Sequence, residues 1–198
     1  MPIIVDKVQK RRDIALSCSE LLHEKGIKKL TVAEVAKTAG VAKGSIYDYF
    51  ENKEDIVFEI IRNHIEKYQK DFNSKIDYNA TTREKIFLVF TFLLDDSEEG
   101  KRDHNLYKEY MSIDLGGECN NMRDFNNECG SFLRNIISLL IQEGINKGEL
   151  KEQAIDLIEG LIALEKGFLI IKWTEKKEIK ENLTKFLDTL FDLIEIKS

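Results

Sequence analysis

The stretch Thr31–Lys53, TVAEVAKTAGVAKGSIYDYFENK, constrains the fold more than any other part of the chain. Thr31-Val32-Ala33-Glu34 reads as a capping box. The Thr hydroxyl accepts the N–H three residues on and Glu34 reaches back, so a helix starts here. Val32, Val35, Ala36 and Ala39 then place small apolar residues along one face, and Gly40 ends the helix after about two turns. Only a few residues separate it from the next helix, which starts near Ala42. Two short helices joined by a glycine-containing turn, with Ala and Val at the contact, form the helix-turn-helix pattern. Val41 is the apolar residue expected to plug the crook.

The following helix is expected over 43–50. Ile46 and Phe50 are four apart and face inward. Lys43, Gly44, Ser45, Tyr47, Asp48 and Tyr49 remain outside or at the ends. A plain solvated face favours Glu and Lys, whereas two tyrosines, a lysine and two small residues suit close approach to a groove. Tyr hydroxyls and Lys reach phosphate oxygens, and Gly44 and Ser45 let the backbone come near base edges. Tyr47 has a second reading, packing of its ring against the first and fourth helices. Asn52 is a fair N-cap for the fourth helix, 53–75, with Glu54 and Asp55 in its first turn. Lys53 sits beside that N-terminus, where a phosphate is also favoured.

Charge follows the same division. The net charge is −6, but residues 1–53 hold ten Lys/Arg against seven Asp/Glu, leaving the remainder strongly acidic. A basic head on an acidic body is expected when one end meets phosphates. The head also holds a first helix over 5–25, with Ile14, Ala15, Cys18, Leu21 and Leu22 on one face and Gly26 as its stop.

The run TVAEVAKTAGVAKGSIYDYFENKEDI resembles the DNA-binding signature of TetR-family transcriptional regulators. The matching positions are Thr31, Val32, Val35, Ala36, Ala39, Gly40, Val41, Lys43, Gly44, Ile46, Tyr47, Tyr49, Phe50, Lys53 and Glu54. The resemblance covers roughly residues 10–65, and the run QEGINKGEL at 142–150 is similar to the segment ahead of that family's last two helices. It implies phosphate contacts at Thr31, Lys43, Tyr47, Tyr49 and Lys53, with Lys43, Gly44 and Ser45 nearest base edges. Asp48 departs from the pattern. An acid there accepts from a cytosine amino group or repels phosphate and narrows the choice of site.

The rest of the chain reads as helices throughout, giving an all-α protein of about nine helices. Residues 1–53 are the expected helix-turn-helix DNA-binding domain, and 54–198 the ligand-binding and dimerisation domain. The single proline is Pro2, so no element carries a breaker. Segment 95–103 reads as a charged turn, and Gly116-Gly117 as a helix break. The last two helices, 152–176 and 178–197, are wider in apolar surface than a monomer core requires. Pairing with a second copy gives an intermolecular four-helix bundle and hence a homodimer. Two heads on a two-fold axis would read a palindromic operator in double-stranded DNA. Most of the body's aromatics are core. Tyr107, Tyr110, Met111, Phe125 and Trp173 mix apolar bodies with polar or adaptable groups and are the candidates to contact a small-molecule effector. Trp173 also suits the dimer interface.

Other functions find little support in the residues. There is no nucleophile elbow, HExxH or phosphate-binding glycine loop, so an enzyme is not expected. No cofactor is expected. His23, His64 and His104 show no ligand spacing, so no metal is expected, and His64 in an apolar stripe reads as a core histidine. Cys18, Cys119 and Cys129 are odd in number and lack CxxC spacing; Cys18 reads as buried, and a redox pair of Cys119 and Cys129 is not required by anything in the sequence. The N-terminus lacks a secretory h-region and no run is long enough to span a membrane, so a cytoplasmic regulator is expected. The alternative to a small effector is control by a protein partner.

Overall fold

The computed structural model describes residues 6–116, 122–175 and 178–197; the side chains of 114 and of 122–130 lie outside that description. The fold is all-α. Ten α-helices occur among the described residues: α1 Lys7–Ser17, α2 Ser19–Lys29, α3 Val32–Thr38, α4 Lys43–Ile46, α5 Lys53–Lys75, α6 Thr82–Val89, α7 Glu98–Gly116, α8 Met122–Asn146, α9 Ile158–Glu175 and α10 Lys180–Ile194. Two 3₁₀ segments, Phe90–Leu94 and Glu152–Leu157, precede α7 and α9. No described helix is long and apolar enough to cross a membrane.

The tenth helix arises because the first expected helix divides at Cys18, whose backbone leaves helical geometry (φ −101°, ψ 4°). Asp6 caps α1 through its carboxylate, which accepts from the amides of Val8 and Gln9. The stop at Gly26 holds: its φ of +74° takes the chain out of the helix, and a further turn follows to Lys29.

The chain divides into two compact units, Met1–Asp71 with Ser97–Asn126, and Phe72–Asp96 with Asn127–Ser198. The first unit has its core in Ile14, Ala15, Cys18, Leu22, Val35, Ala36, Ile46, Phe50, Ile56 and Ile60. Here α7 packs along α2. Cys18 is fully buried with its Sγ 3.7 Å from the Val35 carbonyl, and burial pushes its thiol pKa up. Helix α7 begins at Glu98, so the segment expected as a turn is half helix. Ser97 accounts for this, since its hydroxyl accepts from the Gly100 amide at 3.0 Å and Glu98 and Glu99 follow in the first turn.

In the second unit the core is Ile86, Val89, Phe90, Leu93, Ile137, Ile141, Leu161, Leu169, Leu183, Leu187 and Phe191. The cap of α6 is Thr81 with Glu84, rather than the adjacent Thr82. Arg83 gathers Asp188 (2.5 Å), Asp192 (2.9 Å) and Glu195 (3.3 Å), tying α6 to α10. The Lys85 ammonium is buried but donates to the Tyr78 carbonyl and to Glu143 at 2.9 and 3.0 Å, as a buried charge must. A β-bridge between Leu150 and Glu195 also joins α10 to the loop after α8.

Candidate nucleic-acid interface

The candidate site is the outer face of α3 and α4. Thr31 caps α3 as expected: its hydroxyl accepts from the Glu34 amide at 3.3 Å, and the Glu34 carboxylate accepts from the Thr31 amide at 3.2 Å. Gly40, at φ +66°, makes the turn that a side chain would strain. Beneath the face, Val35, Ala36, Ile46 and Phe50 are buried, so the two helices are fixed by apolar packing. Val41 is half-buried.

Helix α4 is shorter than the expected 43–50. It spans Lys43–Ile46, and Tyr47, Asp48 and Tyr49 continue as a tight turn whose amides bond three residues back. The physical reasons are local. Ala42 offers no capping side chain, and Gly44 weakens a helix that has few turns to nucleate. The turn still presents the expected residues. Lys43, Gly44, Tyr47 and Asp48 are exposed, and Ser45 and Tyr49 are half-buried. Tyr47 is 57% exposed, which leaves its hydroxyl and most of its ring outside the core. A Cβ built on Gly44 meets nothing within 4 Å, so no packing inside the protein requires glycine there.

Lys53 begins α5 and is half-buried. Its Nζ donates to the carbonyls of Ile27 (3.2 Å) and Lys28 (3.3 Å), capping the end of α2 with a positive charge. The Asn52 side chain caps α5 by accepting from the Asp55 amide at 2.8 Å.

Sequence reasoning missed Arg11. Its guanidinium donates to Glu59 (2.8 Å), to the Tyr49 carbonyl (2.9 Å) and to both oxygens of Asp55, and lies 4.7 Å over the Phe50 ring. It thus clamps the end of the recognition turn to α1 and α5. Burial alone would raise the Asp55 carboxyl, but the Arg11 guanidinium holds it below its ordinary pKa. Arg12 pairs with Glu66, and Lys25 with Glu34 at 2.5 Å. The signal in the sequence was the cluster of Lys10, Arg11 and Arg12, which looks like DNA-facing charge.

The described effector candidates fall in both units. Tyr107 and Tyr110 stack on α7 with centroids 6.1 Å apart; Tyr110 is buried, and Tyr107 and Met111 are half-buried. Trp173 is half-buried on α9, in the second unit. The Phe125 side chain lies outside the described residues, as do Gly117, Cys119 and the Cys129 side chain. His64 is not enclosed by apolar neighbours alone: its ring meets His23 edge-on at 5.0 Å, and both face Asp103.

Residues 19–60 match the model of the bacterial regulatory proteins of the tetR family. The fatty acid metabolism regulator protein of Bacillus subtilis is 34% identical over 137 residues, 67% of this chain and 66% of that protein. The chain thus spans just under two thirds of that relative's length. A TetR-family transcriptional regulator from Cytophaga hutchinsonii superposes with a TM-score of 0.77 at 20% identity, over 98% of this chain and 99% of that one. The transcriptional regulator FadR of Bacillus subtilis, crystallised with stearoyl-CoA, has a TM-score of 0.54 at 26% identity, over 80% of this chain and 95% of that one. Sequence, capped helix-turn-helix and all-α fold agree, and the chain belongs to the TetR family of bacterial transcriptional regulators.

Proposed function

We propose that this protein is a dimeric repressor that binds a palindromic operator through residues 1–53 and is released by a small molecule bound within residues 54–198. The observation that carries the DNA-binding role is the exposed face formed by Lys43, Gly44, Tyr47 and Asp48 over a buried Ile46 and Phe50. Gly44 has open space around its Cα, which suits the approach of a groove wall rather than a neighbouring helix. In this reading Thr31, Lys43, Tyr47, Tyr49 and Lys53 contact phosphates. Lys43, Gly44 and Ser45 lie nearest base edges, and Asp48 selects the site.

Dimerisation is supported by apolar residues exposed on the last two helices. Ile170 and Ile171 on α9, and Phe186 and Leu193 on α10, are 38–65% exposed. Phe186 and Leu193 are seven residues apart and share one face. Covering such a patch with the same patch of a second copy is the usual symmetric solution.

The effector is proposed to be a hydrophobic small molecule contacting some of Tyr107, Tyr110, Met111, Phe125 and Trp173. The complex of a 26% identical relative with stearoyl-CoA makes long-chain acyl-CoA the first compound to try. Release follows if the DNA-competent and ligand-bound states differ, because each ligand then lowers the affinity for the other by the same factor.

The test is a mobility-shift titration on the DNA upstream of the protein's own gene, with and without acyl-CoA. Specific retardation at moderate salt, weakened by acyl-CoA, supports the proposal. No specific retardation would overturn the regulator reading. Retardation indifferent to acyl-CoA and to a panel of other hydrophobic and cationic compounds would favour a protein partner as the signal.

A further inference from the structure

Three residues from three helices of the first unit converge. His23 lies on α2, His64 on α5 and Asp103 on α7. One donor atom from each lies within 4.8 Å of the other two. The Asp103 Oδ1 is 3.7 Å from the His23 Nε2 and 3.5 Å from the His64 Nδ1.

These separations are informative. They exceed the roughly 2.7–3.2 Å of an N–H···O hydrogen bond, so Asp103 is not simply bonding the two rings. They approach the edge of a tetrahedron around a first-row cation. Ligand distances of about 2.0–2.1 Å give an N···O edge of about 3.3 Å, a few tenths of an ångström shorter than observed. The other ring nitrogens, His23 Nδ1 and His64 Nε2, are buried without a hydrogen-bond partner. They are not the atoms that face Asp103, so a cation at the cluster would be held by His23 Nε2 and His64 Nδ1.

The chemistry of the donors fits one class of guest. Two imidazoles and one carboxylate suit zinc and its first-row neighbours, whereas calcium and magnesium prefer oxygen alone. Access is also present. The His23 side chain is 8% exposed, but those of His64 and Asp103 are 24% and 33% exposed. A cation can therefore enter from that side and keep water in its remaining position. The charged groups around the cluster are Glu99 and Lys67, which pair with each other. Glu99 lies one turn before Asp103 on the same face of α7.

We propose that His23, His64 and Asp103 form a binding site for a divalent first-row transition-metal ion, zinc in the first instance, that ties α2 to α5 and α7. Helix α2 leads directly into the capped helix α3, so the ion would brace the helices that support the recognition turn. Sequence spacing hides the site, because its successive ligands lie about forty residues apart.

The test uses the full chain stripped with a chelator and then titrated with Zn²⁺ and with Co²⁺. One ion per chain is expected, with a rise in Tm that grows with free zinc. The cobalt form should show visible d–d bands without thiolate-to-cobalt charge transfer, which separates this site from binding by cysteines. Asp103→Asn should weaken zinc binding by about tenfold or more, and His64→Gln with Asp103→Asn together by more still. Glu98→Gln, at an exposed position outside the cluster, should leave it unchanged. Asp103→Asn keeps the shape of a partly exposed side chain, and circular dichroism establishes that each variant is folded before it is scored. Equal zinc affinity in the parent and the folded double variant would overturn the proposal. So would a cobalt spectrum dominated by thiolate charge transfer, or the absence of any zinc-dependent rise in Tm.

Discussion

Replacing Arg11 by Ala should destabilise the protein by about 2–3 kcal/mol, and the reason is structural rather than a loss of DNA contact. Arg11 makes charge-assisted hydrogen bonds to Asp55 and Glu59 and donates to the Tyr49 carbonyl. Bonds of this kind contribute about 1.5–3 kcal/mol each when buried. The Arg11 and Asp55 side chains are each 26% exposed, so solvent screening reduces that figure. Glu59 keeps Arg62 at 2.9 Å after the substitution, which leaves Asp55 as the carboxylate without its cation. Asp55 keeps the Glu51 amide at 3.2 Å and the charge of Arg62 but loses its bidentate partner, and together with one lost carbonyl partner this gives the stated magnitude. For a chain of 198 residues it corresponds to a fall in Tm of roughly 5–10 °C. Thermal unfolding of the parent, Arg11→Ala, Asp55→Asn and the double variant measures both the loss and its coupling. The pH dependence follows from the depressed Asp55 carboxyl. A carboxylate with a lowered folded pKa adds stability that is complete above its unfolded value, near 3.9, and disappears as pH falls through the folded value. The gap between parent and Asp55→Asn should therefore be full at neutral pH and close in strong acid. Were Arg11 a phosphate contact instead, Arg11→Ala would leave the stability within about 0.5 kcal/mol of the parent and lower the salt dependence of operator binding by about one ion per head. That pair of results would refute the clamp.

Tyr47→Phe should weaken operator binding on all sequences in gel-shift titrations while leaving Tm unchanged, because the ring is mostly outside the core. Lys53→Ala should weaken binding and also lower Tm, because it uncaps the Ile27 and Lys28 carbonyls. Equal Tm in the Lys53 variant would show that the cap contributes nothing. Gly26→Ala should destabilise by about 1–2 kcal/mol in denaturant unfolding, since its φ is +74° and its Cβ would sit 2.6 Å from the Glu109 carboxylate that bonds the Lys28 amide. Operator affinity should fall with salt along a log–log slope of about −4 or shallower, from Lys43 and Lys53 of two heads; a clearly steeper slope in salt titration would reveal phosphate contacts from further cations.

What the sequence made legible is what neighbours in the chain determine. The Thr31–Glu34 box, the Gly40 turn, the Asn52 cap and the inward Ile46 and Phe50 each rest on residues within four positions. The family signature is made of the same local features, which is why residues 19–60 match. The misplacements have local causes too. The Ser97 cap was present in the sequence, but the acidic run behind it read as solvated turn. The same Thr-x-x-Glu spacing that marks Thr31 was present at Thr81, yet two adjacent threonines left the cap ambiguous by one residue. What could not be read is pairing across distance. Arg11 meets residues 38 to 48 positions away, and His23, His64 and Asp103 converge only because three helices pack. A histidine at an apolar helical position looks the same in sequence whether its nitrogens meet carbonyls, water or another histidine.

The clamp changes how the head's charge should be understood. The sequence credits residues 1–53 with ten cations, yet Arg11, Arg12 and Lys25 face carboxylates within the protein. A paired cation contributes little to the field outside, because its partner cancels it within a few ångströms. The charge that can reach DNA is thus smaller than the composition suggests, and Asp48 on the exposed turn reduces it further. In exchange, the recognition turn is held by Arg11 at its end and by the apolar residues under it. A rigid face loses less conformational entropy on docking than a loose one, so fewer ionic contacts suffice for a given affinity. Ionic contacts bind any sequence, whereas a fixed geometry rewards only the site that fits it. In the proposed dimer such a head would discriminate more than it grips, and would gain useful affinity when a second copy engages the neighbouring half-site at the same time.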